Sequence, residues 1–428
     1  MPHVPPARSD AHRVRPATRL AMLGLAALAA CQTESTTEPT PTPTPSTGVG
    51  ARLTVAQYMA VALDSIQGLS VNPAVATSPA FRQRYVQRAA SAANYRALYP
   101  IIDDALQELD PHSSISPPEN LPGSTDAPAD QPSARVQGRM IGSKVGYVWV
   151  PGFTGKSQEG RVDSTHQVLR ELDANNPCGW VVDLRRNSGG FFLAMMASLG
   201  PLYDIDEGNV GGQRYTGAFY PPNYQIVWAY RRRANGTDAF VIRDTRDSGQ
   251  FVVPNPFRPK RIGLPVAVLH ATETDASGRF YTITASAGES ITLAFRGGPP
   301  SRSFGARTYG VASGRYPFLM PDTARIDVTD SYMFDRRGGT PGNDPIQPDV
   351  LIPNPAVPNY AANDAVVDAA VAWLNAQPSC SGTLANRAPS GQRAPAAATV
   401  EPSGTPGGRL PSRGTVYRLP NVAFGLSS

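Results

Sequence analysis

From Arg135 to Cys380 short apolar runs alternate with longer stretches of helical spacing, and this alternation constrains the fold more than anything else in the chain. Val145–Val150, Trp180–Leu184 and Pro265–Leu269 read as strands, whereas Arg161–Leu172, Phe191–Leu199 and the stretch after Ser286 read as helices. A strand-rich segment, Tyr215–Val253, and strands near Arg302–Phe304 and Arg325–Val328 extend the pattern. Helices placed between strands predict an α/β core with a mixed sheet over residues 135–380. Upstream, residues 51–117 space Tyr58, Val61, Ala62 and Ile66, then Leu98, Ile101, Ile102 and Leu106, at helical intervals, which predicts a small N-terminal helical lobe. A Pro/Ser/Asp-rich connector, Ile115–Pro132, joins the two. The Ala/Pro/Gly/Arg-rich residues 384–428 lack periodic apolar positions, and a disordered tail is expected there.

Chemistry concentrates in three places. In Thr284-Ala285-Ser286-Ala287-Gly288-Glu289 small residues flank a serine at the start of a helical run, Ser290–Phe295. Unpaired N–H groups at a helix start carry partial positive charge, so the Ala287 N–H is placed to receive a developing oxyanion. The same residues also suit a plain helix N-cap. Asp110-Pro111-His112-Ser113-Ser114 puts a histidine on a turn after a helix. Val181–Gly190 runs a buried strand into a double-glycine loop. His112 is the candidate base because an imidazole titrates near neutrality and can take a serine proton and return it. His270 ends the strand leading to the Ser286 loop and ranks second, while His166 lies about 100° from the apolar stripe of its helix, which predicts a solvated flank.

Six motifs in order, LDPHSS, GYVWVPGF (Gly146–Phe153), VVDLRRNSGG, TASAGE, AFRGGPPSRSFGARTYG (Ala294–Gly310) and IQPD (Ile346–Asp349), make residues 51 to 380 resemble the C-terminal processing, or tail-specific, serine peptidases. The resemblance implies a ClpP/crotonase-like core and a peptide or protein substrate, with neither metal nor cofactor. One branch of that family uses a Ser–Lys dyad, but Val311 stands in the lysine's place. The only lysines, Lys144, Lys156 and Lys260, all precede Ser286. The branch resembling the tricorn core, nisin-resistance and interphotoreceptor retinoid-binding proteins carries a histidine in a turn matching Asp110–Ser114, so a Ser286–His112 pair is implied. Within the resemblance Gly189 or Gly190 joins Ala287 in the oxyanion hole; taken alone, the two glycines read as a tight turn after a strand. Asp183 reads as a brace for that loop. Asp344 is the candidate orienting acid, although Gly342-Asn343-Asp344-Pro345 departs from the family pattern and reads first as a turn before proline. Too few residues separate His112 from Gly146 for the PDZ domain that many relatives carry. Retinoid-binding relatives keep the fold without hydrolysis, so a non-catalytic protein binding a hydrophobic ligand or peptide is the alternative.

The N-terminus suggests export. Arg8, Arg13, Arg15 and Arg19 precede an apolar run, Leu20–Ala30, too short to span a bilayer. Leu28-Ala29-Ala30-Cys31 matches the bacterial lipobox, which makes residues 1–30 a lipoprotein signal peptide and Cys31 the lipidated membrane anchor. Gln32 after the cysteine favours the outer membrane of a Gram-negative cell, facing the periplasm. Residues 31–50, with the Thr/Pro-rich Thr36–Thr47, then form an extended tether. Export leaves Cys178 and Cys380 as an even pair in an oxidising compartment, read as one disulfide. The net charge of +5 comes from the ends, with four arginines against one aspartate in residues 1–30 and five arginines against one glutamate in residues 384–428. No basic stripe marks the core, which excludes nucleic acid as a partner.

Overall fold

The computed structural model describes residues 53–120, 135–153, 159–203, 207–220, 222–231, 238–244, 250–255, 257–298, 300–352 and 363–382. Cys31, the signal peptide, the tether and the tail at 384–428 lie outside them. The N-terminal part holds α1 (Val55–Leu69), α2 (Pro73–Ala76), α3 (Pro79–Ala89), α4 (Tyr95–Leu109) and β1 (Ser114–Ser116). Next come β2 (Gln137–Ile141), β3 (Val145–Trp149), α5 (Glu159–Asp173), β4 (Gly179–Asp183), α6 (Phe192–Leu199), β5 (Glu207–Tyr215), β6 (Gln225–Arg231), β7 (Asp238–Asp244) and β8 (Gln250–Asn255). The remainder comprises β9 (Val266–His270), β10 (Glu273–Thr274), β11 (Phe280–Thr282), α7 (Ala287–Phe295), β12 (Ser301–Gly305), β13 (Ser313–Leu319), β14 (Arg325–Phe334), β15 (Val350–Leu351), α8 (Ala365–Asn375) and α9 (Pro378–Ser381).

The core is α/β with mixed sheets. A six-stranded sheet runs β15-β12-β9-β4-β3-β2, parallel except where β2 pairs antiparallel with β3. Every residue of β3, β4 and β9 is buried, as strands covered on both faces require. Side chains alternate across the sheet: Val148, Val182 and Val268 join the cluster under α5, α6 and α7, while Tyr147, Val181 and Leu269 join the one under α8. Each fully buried valine or leucine contributes roughly 1.5–3 kcal/mol, so the central strands anchor the molecule. The strand-rich middle forms a second, seven-stranded sheet, β1-β14-β5-β6-β7-β8 with β13 on β14.

Local chemistry sets the helical lobe. Thr54 and Gln57 close a reciprocal capping box at α1, and Asn94 caps α4 through the Ala97 N–H. The lobe does not enclose its own core: Tyr58, Ala62, Ile66, Leu98, Ile102 and Leu106 pack in one cluster with Ile326 and Val328 of β14. Val61 departs from the spacing reading and is 40% exposed. His166 is a second correction: it is 1% exposed, because α5 packs on α6 as well as on the sheet and the imidazole tilts against Phe257.

Cys178 and Cys380 are bonded, with Cα atoms 4.9 Å apart, and tie α9 to the residue before β4. Replacing both with serine is expected to destabilise the fold by about 3–5 kcal/mol, because the bond closes a loop of some 200 residues. Denaturant titration of oxidised and Cys178→Ser/Cys380→Ser protein reads this directly; an unchanged midpoint would count against it.

Candidate active site

The parallel strands end on one side, and the loops beyond their carboxyl ends build the site, as is general for open α/β sheets. After β4 the chain enters Leu184–Phe191. Asp183 and Arg185 are buried with Asp364: the guanidinium bridges both carboxylates at 2.6 Å, and Tyr147 donates to Asp183 at 2.6 Å. Asp364 also caps α8 through the Val366 N–H at 3.1 Å. This network fixes the base of the loop to two other elements. Asp183 is thereby structural.

Beyond it the backbone reverses through Arg186 (φ 69°), Gly189 (φ 97°) and Gly190 (φ 119°). Side chains would not fit there. A Cβ on Gly189 would lie 2.8 Å from the Ser286 Cβ, and one on Gly190 would lie 2.2 Å from the Phe153 carbonyl oxygen. The glycine loop therefore lies directly against the serine turn. Asn187 adds a parallel bridge to Thr284, its carbonyl accepting the Ala285 N–H at 3.0 Å.

Ser286 adopts φ 52° and ψ −118°, a region that non-glycine residues avoid. A sharp turn of this kind between a strand segment and a helix start is how nucleophile elbows present a hydroxyl, and the strain costs on the order of 1–3 kcal/mol. Glu289 holds it. Its buried carboxylate accepts the Ser286 N–H (2.9 Å), the Thr308 hydroxyl (2.5 Å), the Gly310 N–H (2.9 Å) and the Val311 N–H (2.9 Å). Burial raises its proton affinity, and the four donors oppose that rise. In the sequence Glu289 was legible only as the end of the serine motif. Its other three partners lie 19 to 22 residues downstream, beyond the reach of local spacing.

Among the described residues the N–H groups of Ala287 and Gly190 have no acceptor, whereas the Gly189 N–H donates to its own loop at Asn187 Oδ1, 3.0 Å away. Of the three, Ala287 and Gly190 thus keep an N–H with no acceptor in the described residues. Gly189 contributes closeness rather than a donor, because the Asn187 side chain has turned its N–H inward.

His112 follows α4 on a turn held by Asp110. The buried Asp110 carboxylate accepts the His112 N–H (2.9 Å), the Thr329 hydroxyl (2.8 Å), the Tyr332 hydroxyl (3.0 Å) and the Asn343 amide (2.7 Å). His112 Nδ1 lies 2.7 Å from Ser313 Oγ. With Nδ1–H donating to Ser313, the lone pair of Nε2 remains for a substrate-side proton. Burial and then the Arg315 guanidinium push the imidazole down to about 4, against a weaker pull from Asp110. The ring is therefore neutral, and able to accept a proton, from about pH 4 upward. Ser313 stands two residues beyond Val311, whose N–H is held by Glu289, so one short stretch of chain joins the serine turn to the histidine.

The remaining candidates fall elsewhere. Asp344 is exposed, its N–H closes a turn on Pro341, and no hydrogen bond joins its carboxylate to His112; its neighbour Asn343 is the residue that reaches the histidine turn. His270 is fully buried, with Nδ1 2.7 Å from the Ala306 carbonyl and Nε2 unpartnered among the described residues, and burial pushes it down to about 4. No hydrogen bond joins it to Ser286 among the described residues. No cluster of three His, Cys, Asp or Glu side chains suited to a metal occurs among the described residues.

Residues 144–352 match peptidase family S41. A nisin-resistance protein from Lactococcus lactis subsp. lactis is 23% identical over 300 residues, covering 70% of this chain and 83% of that protein. Among solved structures, a lipoprotein from Streptococcus agalactiae superposes with a TM-score of 0.53 at 17% identity, covering 76% of this chain and 97% of that one. A photosystem II D1 C-terminal processing protease aligns at TM-score 0.47 and 13% identity over 70% of this chain and 94% of that chain.

Proposed function

We propose that this chain, a serine peptidase by virtue of its peptidase family S41 domain at residues 144–352, hydrolyses peptide bonds in unfolded or C-terminal segments with Ser286 as nucleophile and His112 as general base. The observation that carries this reading is the strained Ser286 turn pressed against the glycine loop at Gly189, with the N–H groups of Ala287 and Gly190 lacking an acceptor among the described residues. Ser286 Oγ attacks the carbonyl carbon as His112 Nε2 takes its proton, and the oxyanion collects on the two N–H groups. His112 then returns the proton to the leaving amine, giving an acyl-enzyme that water resolves by the same proton path in reverse. Ser313 orients the imidazole and Glu289 fixes the nucleophile turn. The chain works at the cell envelope, tethered through lipidated Cys31. The lipobox at Leu28–Cys31 supports that placement, as do similarities to a lipoprotein and to a nisin-resistance protein. Gln32 points to the outer membrane, with the globule facing the periplasm.

The test is kcat/KM against pH on an unstructured peptide. The acid limb is expected with its midpoint near 4, because a histidine depressed from 6.5 to about 4 stays in its basic form down to that pH. The same shift has a stability consequence of definite sign. Between pH 6.5 and 4 the unfolded chain binds the His112 proton and the folded chain does not, so stability falls as pH drops through that window. Removing the nearby positive charge in Arg315→Ala should move the limb upward, and His112→Ala should lower kcat/KM by about 10²–10⁴-fold. Wild type that neither cleaves denatured protein nor reacts with a fluorophosphonate, yet binds apolar ligands, would replace this reading with the binding-protein alternative.

A further inference from the structure

Among the described residues ten large apolar side chains stand exposed, and two of them, Phe280 (43%) and Tyr309 (47%), meet at one place. Single exposed apolar residues are ordinary, but a cluster beside a reactive group marks a contact surface. Phe280 and Tyr281 belong to β11, on the hairpin between β9 and the serine turn, and Tyr309 comes from the loop before β13. The rings of Phe280 and Tyr309 meet edge to face, centroids 5.5 Å apart at 78°.

Tyr309 is tied to the serine turn through the backbone. The Tyr309 N–H donates to the Thr284 carbonyl, two residues before Ser286, at 2.9 Å. Its neighbours Thr308 and Gly310 both donate to Glu289, which accepts the Ser286 N–H. Phe280 stands on a preformed hairpin. Asp275 accepts from the Ser277 N–H (2.9 Å), the Ser277 hydroxyl (2.5 Å) and the Arg279 N–H (3.1 Å), and Tyr281 donates to Glu273 across the strands. Two exposed rings are thus held on segments that adjoin the serine turn before any ligand arrives, which lowers the ordering cost of binding.

We propose that Phe280 and Tyr309 wall a subsite that takes an aromatic or large aliphatic side chain of the peptide, next to the bond presented to Ser286. The proposal rests on the peptidase reading above and adds the substrate class. An apolar substrate side chain gains burial against two ring faces, while alanine at the same position leaves them wet; such pockets discriminate by about 10–200-fold.

Two measurements on the full chain separate the proposal from its premise. Fluorogenic peptides differing only in Phe, Leu or Ala beside the scissile bond give kcat/KM ratios. Anisotropy titration with the same peptides, made uncleavable by a reduced scissile bond, gives Kd without turnover. Wild type should favour Phe and Leu over Ala by at least about tenfold in both, and Phe280→Ala/Tyr309→Ala should lose most of that preference through KM. Because both rings are exposed, the double variant should keep its Tm within about 2 °C, and Phe280→Leu/Tyr309→Phe should retain the preference. Hydrolysis with an unchanged Phe-to-Ala ratio in the alanine variant overturns the subsite and leaves the peptidase reading standing. Selective binding that the alanine variant loses, in a wild type that hydrolyses nothing, supports the subsite and overturns its premise.

Discussion

Ser286→Ala should lower hydrolysis of unstructured peptides by about 10⁴-fold or more and abolish fluorophosphonate labelling, while the thermal midpoint stays close to that of wild type. Loss of the nucleophile in a serine peptidase removes the covalent route entirely, and what remains comes from the oxyanion donors and binding alone. Glu289 grips the turn through the Ser286 backbone N–H, which alanine keeps. The φ of 52° is as strained for alanine as for serine, so the substitution does not relieve it. Activity and stability are therefore expected to separate at this position. Persistent turnover in Ser286→Ala, measured by active-site titration to exclude contaminating peptidase, would remove Ser286 from the mechanism.

Glu289→Ala is expected to do the opposite and damage both. Four donors, the N–H groups of Ser286, Gly310 and Val311 and the hydroxyl of Thr308, converge on one buried carboxylate. Deleting it strands three N–H groups in a site with little water, and each unsatisfied buried donor costs about 1–3 kcal/mol. A loss on the order of 3–5 kcal/mol follows, read as a fall in Tm of roughly 6–15 °C. Glu289→Gln should recover only part of it, because the amide brings a donor to a place where every neighbour donates. Since the Ser286 turn then relaxes from its strained conformation, kcat should fall by about 10²-fold or more even at temperatures where the variant is folded. Thr308→Val removes one of the four donors and also strands the Ile346 N–H that the Thr308 hydroxyl accepts at 2.8 Å, and it should cost less than Glu289→Ala. Wild-type stability in Glu289→Ala would mean that the turn does not depend on the carboxylate.

These two positions also mark how far the sequence could be read. Ser286 was legible as a candidate nucleophile because the features that mark it are local: small flanking residues, a following helix and a motif in register with five others. His112 was legible for the same reason, on a turn directly after a helix. The correction at Gly189 came from a side chain two residues away, since Asn187 claims an N–H that spacing alone would have left free. Asp344 was the wrong member of its pair to expect near His112. Asn343 reaches Asp110 across 233 residues of chain, and nothing in a turn sequence says which of two adjacent polar residues will face the protein.

What the sequence by itself determined is the class of the fold, and it named the candidate residues for chemistry. Period-two and period-3.6 spacing encode which elements form, because burial on one face or two is written into consecutive residues. The apolar runs Trp180–Val182 of β4 and Val266–Leu269 of β9 could only be central strands, and the alternation around them gave α/β. Tertiary structure alone decided that the strands divide between two sheets, that the helical lobe closes its core on β14, and that α5 buries His166 against α6. It decided as well which N–H groups remain free, and that Glu289, Asp110 and Ser313 hold the serine turn and the histidine. Each of these rests on contacts between segments far apart in the chain, where the partner is chosen by packing and by the need to satisfy buried polar groups, and no local pattern carries that information.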